Sequence, residues 1–358
     1  MRTAVILFNL GGPDDQAAVR PFLYNLFSDP SIIRVPNPLR WLIARTISRK
    51  RAPVAQEIYK QMGGGSPILP NTEAQARALE AELGDGYKCF IAMRYWHPRM
   101  DEVLKQIQAY KPHHVVMLPL YPQFSSTTTL SSFKDYWKAL PHIDEEWNLD
   151  NDPEPFTDGA HEHTMCCYPV MPGFITALAD LISPRLIEAT GYGMPRLLLS
   201  AHGLPEKIIK KGDPYQWQCE QTTQALLEEL KQRGHRNIDY VNCYQSRVGP
   251  LKWIGPSTDE EVERAAAEGK PIVMVPLAFV SEHSETLVEL DIEYRELATH
   301  KGAPFYSRVP TVSTHPAFIS GLAGLVQAAV LRDNKTVAPV EGQRLCPASF
   351  KDCPCRAR

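Results

Sequence analysis

Arg196-Leu197-Leu198-Leu199-Ser200-Ala201 runs directly into His202-Gly203-Leu204-Pro205. A short apolar run closed by Gly and Pro predicts a strand that stops at the histidine. The stretch 216–233 follows, with Leu226, Leu227 and Leu230 at helical spacing, and then a second apolar run at 238–243. Strand, amphipathic helix, strand is the signature of a parallel sheet flanked by helices. The same alternation extends outward in both directions. Strands are expected at 4–9, 89–93, 114–118, 165–168, 272–276 and 304–308, and helices at 71–83 and 316–330. The eight expected strands make one large sheet or two smaller ones. Residues 144–163 are acidic, contain Pro and lack any period, so they read as an inserted loop near a domain boundary. The expected division is 1–165, 166–332 and an appended tail, 333–358.

The 358 residues suit about two domains of roughly 100–200 residues each. The net charge of -3, from 38 basic and 41 acidic residues, gives no basic stripe for nucleic acid. No apolar run reaches the roughly 20 residues of a membrane span. The first strand begins almost at once, which reads as a chain without a leader and as a cytoplasmic protein. No G-x-x-x-x-G-K-[ST] occurs, nor G-x-G-x-x-G after a strand, so nucleotide chemistry is disfavoured.

Ligands of parallel α/β folds bind beyond the carboxyl ends of the strands. Several distinctive loops fall there: Asn9-Leu10-Gly11-Gly12-Pro13, Arg94-Tyr95-Trp96-His97-Pro98, Tyr121-Pro122-Gln123-Phe124, Tyr244-Gln245-Ser246-Arg247 and the run from Phe279 to Glu285. His202 ends a strand beside Gly203, where a neutral imidazole can accept a proton or ligate a metal. If the following region is helical, Glu285, Glu289 and Glu293 recur every four residues, and Glu282 shares a face with Glu285. Such a ridge is either a solvated face or a path for a hydrated divalent cation. Tyr95, Trp96, Phe124, Tyr244 and Trp253, with Arg94, are either core packing or the wall of a site for a large flat ligand.

Eight cysteines are present. Cys89, Cys219 and Cys243 read as buried packing thiols. Cys346, Cys353 and Cys355 crowd the last 13 residues. Three thiolates need a fourth, from Cys166 or Cys167, to ligate an iron–sulfur cluster or Zn. A disulfide is the remaining alternative.

Taken in order, these motifs resemble the ferrochelatases. The resemblance rests on the Leu10, Arg94, Tyr121, His202 and Tyr244 loops, on Gly63-Gly64-Gly65-Ser66-Pro67, on Ser125 to Thr129, and on 278–294. It implies two similar Rossmann-like, chelatase-type lobes, each a parallel sheet flanked by helices, with a porphyrin cleft between them. It implies insertion of Fe2+ into protoporphyrin IX to give haem b, with no nucleotide. His202 would accept a proton and Glu285 would be its partner carboxylate. Glu282, His283 and Glu289 would join His202 and Glu285 on the metal side. Leu10, Arg94, Tyr95, Ser125 and Trp253 would line the porphyrin pocket. The tail looks like that of members carrying a [2Fe–2S] cluster, held by Cys346, Cys353 and Cys355. Alternation along a strand at 165–168 would let one of Cys166 and Cys167 face the tail. The Cys-Tyr-Pro context favours Cys167, leaving Cys166 as a packed thiol. Cluster-bearing relatives are often dimers, so a homodimer is compatible with the resemblance. A poorly soluble substrate also suits transient contact with the inner face of the cell membrane.

Overall fold

The computed structural model describes residues 1–140, 160–247, 251–332 and 344–355. The chain divides into two compact units. The first comprises Met1–Cys167 with described residues of Leu322–Leu345 and Pro354–Arg358, and the second Tyr168–Gly321 with Cys346–Cys353.

The first unit runs β1 (Thr3–Asn9), α1 (Val19–Ser28), α2 (Asn37–Lys60), α3 (Ile68–Leu83), β2 (Tyr87–Met93), α4 (Met100–Tyr110), β3 (His114–Pro119), α5 (Thr129–Ala139) and β4 (His161–Thr164). Its sheet is parallel throughout, in the order β2-β1-β3-β4. All seven residues of β1 are buried, as expected for a central strand covered on both faces. Ala4, Ile6 and Phe8 point to one face and pack against Val103, Leu104 and Ile107 of α4 and Phe133 and Trp137 of α5.

The second unit repeats the plan. It runs α6 (Pro172–Thr190), β5 (Arg196–His202), α7 (Glu206–Lys210), α8 (Tyr215–Gln232), β6 (Asp239–Gln245), α9 (Thr258–Ala267), β7 (Ile272–Pro276), a π-helix (Glu285–Glu293), α10 (Tyr294–His300), β8 (Tyr306–Arg308) and the start of α11 (Pro316–Val330), whose residues from Leu322 onward belong to the first unit. The order β6-β5-β7-β8, again all parallel, matches that of the first sheet strand for strand. α9 starts on a capping box, Ser257 with Glu260, which satisfies two backbone donors of its first turn. Leu198, Ile272 and Met274 pack against Val262 of α9, Leu290 of the π-helix and Ala298 of α10.

Two expectations need correction. Residues 165–168 are not a strand. The edge strand β4 lies earlier, at His161–Thr164, in register with His114–Met117. Met165 makes one last bond to the sheet, its N–H to Met117 O at 3.0 Å, and Pro169 has no N–H to continue a ladder. The apolar run from Met165 to Tyr168 is fully buried irregular chain, whereas the actual strand carries His-Glu-His-Thr because an edge tolerates polar residues. The acidic segment after β7 is also not an α-helix. It winds as a π-helix, closing each turn one residue later. Of the expected inserted loop, residues 144–159 lie outside the described residues, as do 333–343 and 356–358 of the tail. The described tail residues 346–353 pack in the second unit, where Asp352 N–H bonds Gly212 O and Phe350 lies against Trp217. Gly212 has φ +110°, and a Cβ there would sit 2.7 Å from Lys351 N, so only glycine admits the tail.

Candidate active site

In both sheets the strand order reverses beside the central strand, between β1 and β3 and between β5 and β7. In open parallel sheets that crevice is where ligands bind. In the second unit, β5 delivers His202 to this point, and the loop after β7 delivers Glu282, His283 and the π-helix. His202 Nδ1 lies 2.9 Å from Glu285 Oε2, and the two side chains keep 40% and 23% of their surface. The pair fixes the tautomer: Nδ1–H donates to the carboxylate and Nε2 keeps its lone pair. Partial burial works against the imidazolium, but the facing Glu285 charge, with Glu289 behind it, raises the His202 pKa above its ordinary 6.5. Burial likewise opposes the Glu285 carboxylate, yet His202 holds its pKa down to about 2. Burial and the charge of Glu285 push Glu289 upward.

Glu289 is held by Gln245 at the end of β6, by Ser246 just after it and by Tyr294, partners that the sequence did not assign to it. Ser246 donates from its N–H at 2.9 Å and its hydroxyl at 2.5 Å, and Tyr294 OH donates at 3.2 Å. Gln245 Nε2 lies 3.3 Å from Glu289 and 3.5 Å from Glu285, so one amide spans both carboxylates. Ser200 Oγ donates to Gln245 Oε1 at 2.8 Å, which orients that amide. The available signal was a run of polar residues, Tyr-Gln-Ser-Arg, leaving a buried strand.

The other predicted metal-side residues are placed differently. His283 is buried, its ring edge-on to Phe279, and burial lowers its pKa, so the imidazole is neutral. Its Nδ1 has no partner among the described residues. Glu282 is engaged on both oxygens by Arg308 at 2.9 and 3.2 Å, by Thr311 N–H at 3.0 Å and by the Thr286 hydroxyl. Glu293 is exposed and makes no part of this cluster. Trp253 is half-buried beside Gly203, and its indole N–H has no partner among the described residues.

In the first unit, Leu10 is half-buried at the end of β1, and its carbonyl accepts from Tyr95 N–H at 3.0 Å. Tyr95 and Ser125 are buried and Arg94 half-buried, all three in hydrogen-bonded networks. Arg94 pairs with Asp29 at 2.9 Å and Asp135 at 3.3 Å. Tyr95 OH and Ser131 Oγ also donate to Asp29. Ser125 Oγ lies 2.9 Å from Thr127 Oγ1.

None of the eight cysteines is in a disulfide, and Cys89 is the one that is not fully buried. The Cys166 sulfur lies 3.1 Å from that of Cys167 and 3.3 Å from that of Cys355. Without the strand, the expected opposition of the two neighbours fails, and Cys166 meets the tail. Cys346 accepts from Gln218 Nε2 at 3.1 Å. Among the described residues no group of three or more His, Cys, Asp or Glu forms a ready-made metal site. Five buried, unbridged thiols are nevertheless the donor chemistry that an iron–sulfur centre requires.

A family model described as Ferrochelatase matches residues 2–330. The chain belongs to the ferrochelatase family. It is 49% identical to the ferrochelatase of Hyphomonas neptunium over 99% of this chain and 94% of that one. It is 51% identical to the ferrochelatase of Caulobacter vibrioides, over 99% and 98%. Among solved structures, SirB from Bacillus subtilis with Fe3+ covers 92% of this chain and 96% of its own at TM-score 0.52 and 11% identity, a likeness of fold alone. As a ferrochelatase, the chain inserts iron into a porphyrin, the terminal step of haem synthesis.

Proposed function

We propose that the porphyrin is protoporphyrin IX, that His202 accepts its pyrrole protons, and that Glu285 and Glu289 handle metal and protons. The 2.9 Å pair of His202 and Glu285 carries this reading. Metallation replaces two pyrrole N–H protons with one Fe2+, so two protons must leave. The free Nε2 lone pair of His202 takes a proton while Glu285 stabilises the imidazolium that results. Glu289, reached through the Gln245 amide, is the next group toward which charge can move. Glu285 and Glu289 attract Fe2+, and the neutral imidazole of His283 is a second-rank ligand. Glu282, neutralised by Arg308, acts as a positioning residue that fixes the entry to the π-helix. Leu10, Arg94, Tyr95 and Ser125 of the first unit and Trp253 of the second are proposed as porphyrin-binding residues.

The test is iron insertion followed by loss of protoporphyrin fluorescence. Glu289→Gln keeps shape and removes one charge, so it should raise the KM for Fe2+ with a smaller effect on kcat. An unchanged iron dependence in both Glu289→Gln and Glu285→Gln would reduce the acidic cluster to a polar helix face.

A resident [2Fe–2S] cluster is proposed on Cys346, Cys353, Cys355 and Cys167. When bound it supplies a redox-active centre remote in kind from the acid–base chemistry above. Cys353→Ser and Cys167→Ser should abolish the visible absorption and acid-labile sulfide of anaerobically purified protein. Cys166→Ser should retain both, and the reverse pattern would move the ligand by one residue. Zinc without labile sulfide in the unaltered protein would discard the cluster. We place the chain in the cytoplasm, with transient contact to the inner face of the membrane, because its substrate is poorly soluble. A homodimer, as expected from cluster-bearing relatives, is open to sizing of the purified protein.

A further inference from the structure

Gln218 of α8 is fully buried, yet its amide Nε2 lies 3.1 Å from a sulfur, that of Cys346. Burying an amide donor is costly unless its partner is a good acceptor. A neutral thiol is a weak acceptor, whereas a thiolate forms a charge-assisted hydrogen bond of roughly twice the ordinary strength. The contact therefore makes chemical sense when Cys346 is ionised, the state in which a cysteine ligates a metal centre. The chemistry of iron insertion makes no use of this amide.

The rest of the tail's dock is built around the same helix. Ahead of α8, Gly212 O accepts from Asp352 N–H at 3.2 Å, and on it Trp217 lies against Phe350 with ring centroids 5.7 Å apart. Within the tail, Phe350 N–H donates to Pro347 O at 3.1 Å and Cys353 N–H to Phe350 O at 3.2 Å. Cys346 and Cys353 are thus the buried ends of one folded segment fixed on the second unit. One turn along α8, Thr222 shares the face of Gln218, and its hydroxyl lies 2.8 Å from Pro169 O. Pro169 follows Cys167 and Tyr168 directly. One helix face therefore reaches both Cys346 and the chain that leaves Cys167. Packing alone would be served there by an apolar side chain of similar size. What the amide adds is an N–H aimed at sulfur.

We infer that Gln218 is a positioning residue for the proposed iron–sulfur centre: its amide holds the Cys346 thiolate through an N–H···S hydrogen bond and raises the reduction potential of the cluster which that thiolate ligates. An N–H donor draws electron density from a ligating sulfur and so favours the reduced, more negative state. The inference rests on the [2Fe–2S] reading above and names a residue outside the four cysteines that tunes the centre.

The test is a redox titration of the full chain, purified anaerobically and followed by the EPR signal of the reduced cluster. Gln218→Leu keeps the bulk and removes the donor. Its midpoint potential should fall by the equivalent of a tenfold change in the reduction equilibrium, about 59 mV for one electron. Trp217→Leu loosens the tail at Phe350 but keeps the donor, so its potential should stay with that of the unaltered protein. An intact cluster with an unmoved potential in Gln218→Leu would overturn this inference alone and leave the cluster reading standing. An equal shift in Trp217→Leu would assign the effect to the position of the tail and overturn the role of the hydrogen bond. If Gln218→Leu purifies without a cluster, the bond is read in the unaltered protein instead. With the side-chain nitrogen of glutamine isotopically labelled, the reduced cluster should show a magnetic coupling to that nitrogen, and its absence would overturn the inference. Zinc without labile sulfide in the unaltered protein would overturn the cluster reading and this inference together.

Discussion

His202→Ala lowers kcat for iron insertion by about 10²–10⁴-fold, the usual cost of removing a general base, and leaves porphyrin affinity nearly unchanged. The direction follows from geometry. Nδ1 is committed to Glu285, so the ring's remaining function is the Nε2 lone pair, and alanine removes it without emptying a buried core position. Turnover like that of the unaltered protein in a folded variant would remove His202 from the reaction. The pH profile separates a base from a packing group. His202 must be neutral to accept a proton, and its pKa is raised above 6.5. The acid limb of kcat/KM should therefore lie above that value. Glu285→Gln removes the charge that raises it while burial remains, so the limb should move to lower pH, alongside a severe fall in rate. The same pair is linked to stability. The raised His202 pKa contributes stability in full below 6.5, lost as pH rises through its folded value. The depressed Glu285 pKa contributes in full above 4.5, lost as pH falls toward about 2. Both contributions are complete only between 4.5 and 6.5, and Glu285→Gln should flatten this dependence.

The parts of this arrangement that could be read from sequence are those where one residue type admits few environments. The central strands β1, β5 and β7 are nearly continuous apolar runs, and their positions follow from composition within a residue or two. His202 was legible because a histidine closing such a run must emerge at the ligand end of the sheet. Edge strand β4 was not, because an edge needs no apolar pattern and the buried coil after it imitates one. The acidic periodicity of 285–293 fitted an α-helix as well as a π-helix, since both bring residues four apart onto neighbouring positions. Nothing local revealed that Arg308, distant in sequence, neutralises Glu282 and takes it out of the acidic cluster. Gln245 and Ser246 were visible only as a polar run. Their role depends on Glu289 arriving from another segment, a tertiary fact that no local pattern encodes.

Arg94→Ala should destabilise the first unit by about 3–5 kcal/mol, the cost of stripping one partner from a buried ion pair. Asp29 is 1% exposed and accepts from Arg94, Tyr95 and Ser131 on one oxygen and from Ser31 N–H on the other. Burial by itself would raise its pKa, but Arg94 above all, with these hydrogen bonds, holds it below the ordinary 3.8. Without the guanidinium the burial cost stands uncompensated, and Asp135 loses the same partner. For a unit of this size the loss corresponds to a fall in Tm on the order of 10 °C. Two further measurements separate this account from simple loss of packing. Asp29→Asn in the Arg94→Ala background should restore part of the stability, because it removes the orphaned charge. Acid should narrow the gap between the variant and the unaltered protein. In the unaltered protein, Asp29 contributes stability above 3.8 that is lost as pH falls through its depressed value. In the variant, its pKa rises and the charge costs stability at neutral pH, a cost that disappears on protonation. A Tm deficit independent of pH and untouched by Asp29→Asn would assign the effect to the lost aliphatic stem of Arg94. The Asp29 network of the first unit would then depend on its bulk, with no part played by its charge.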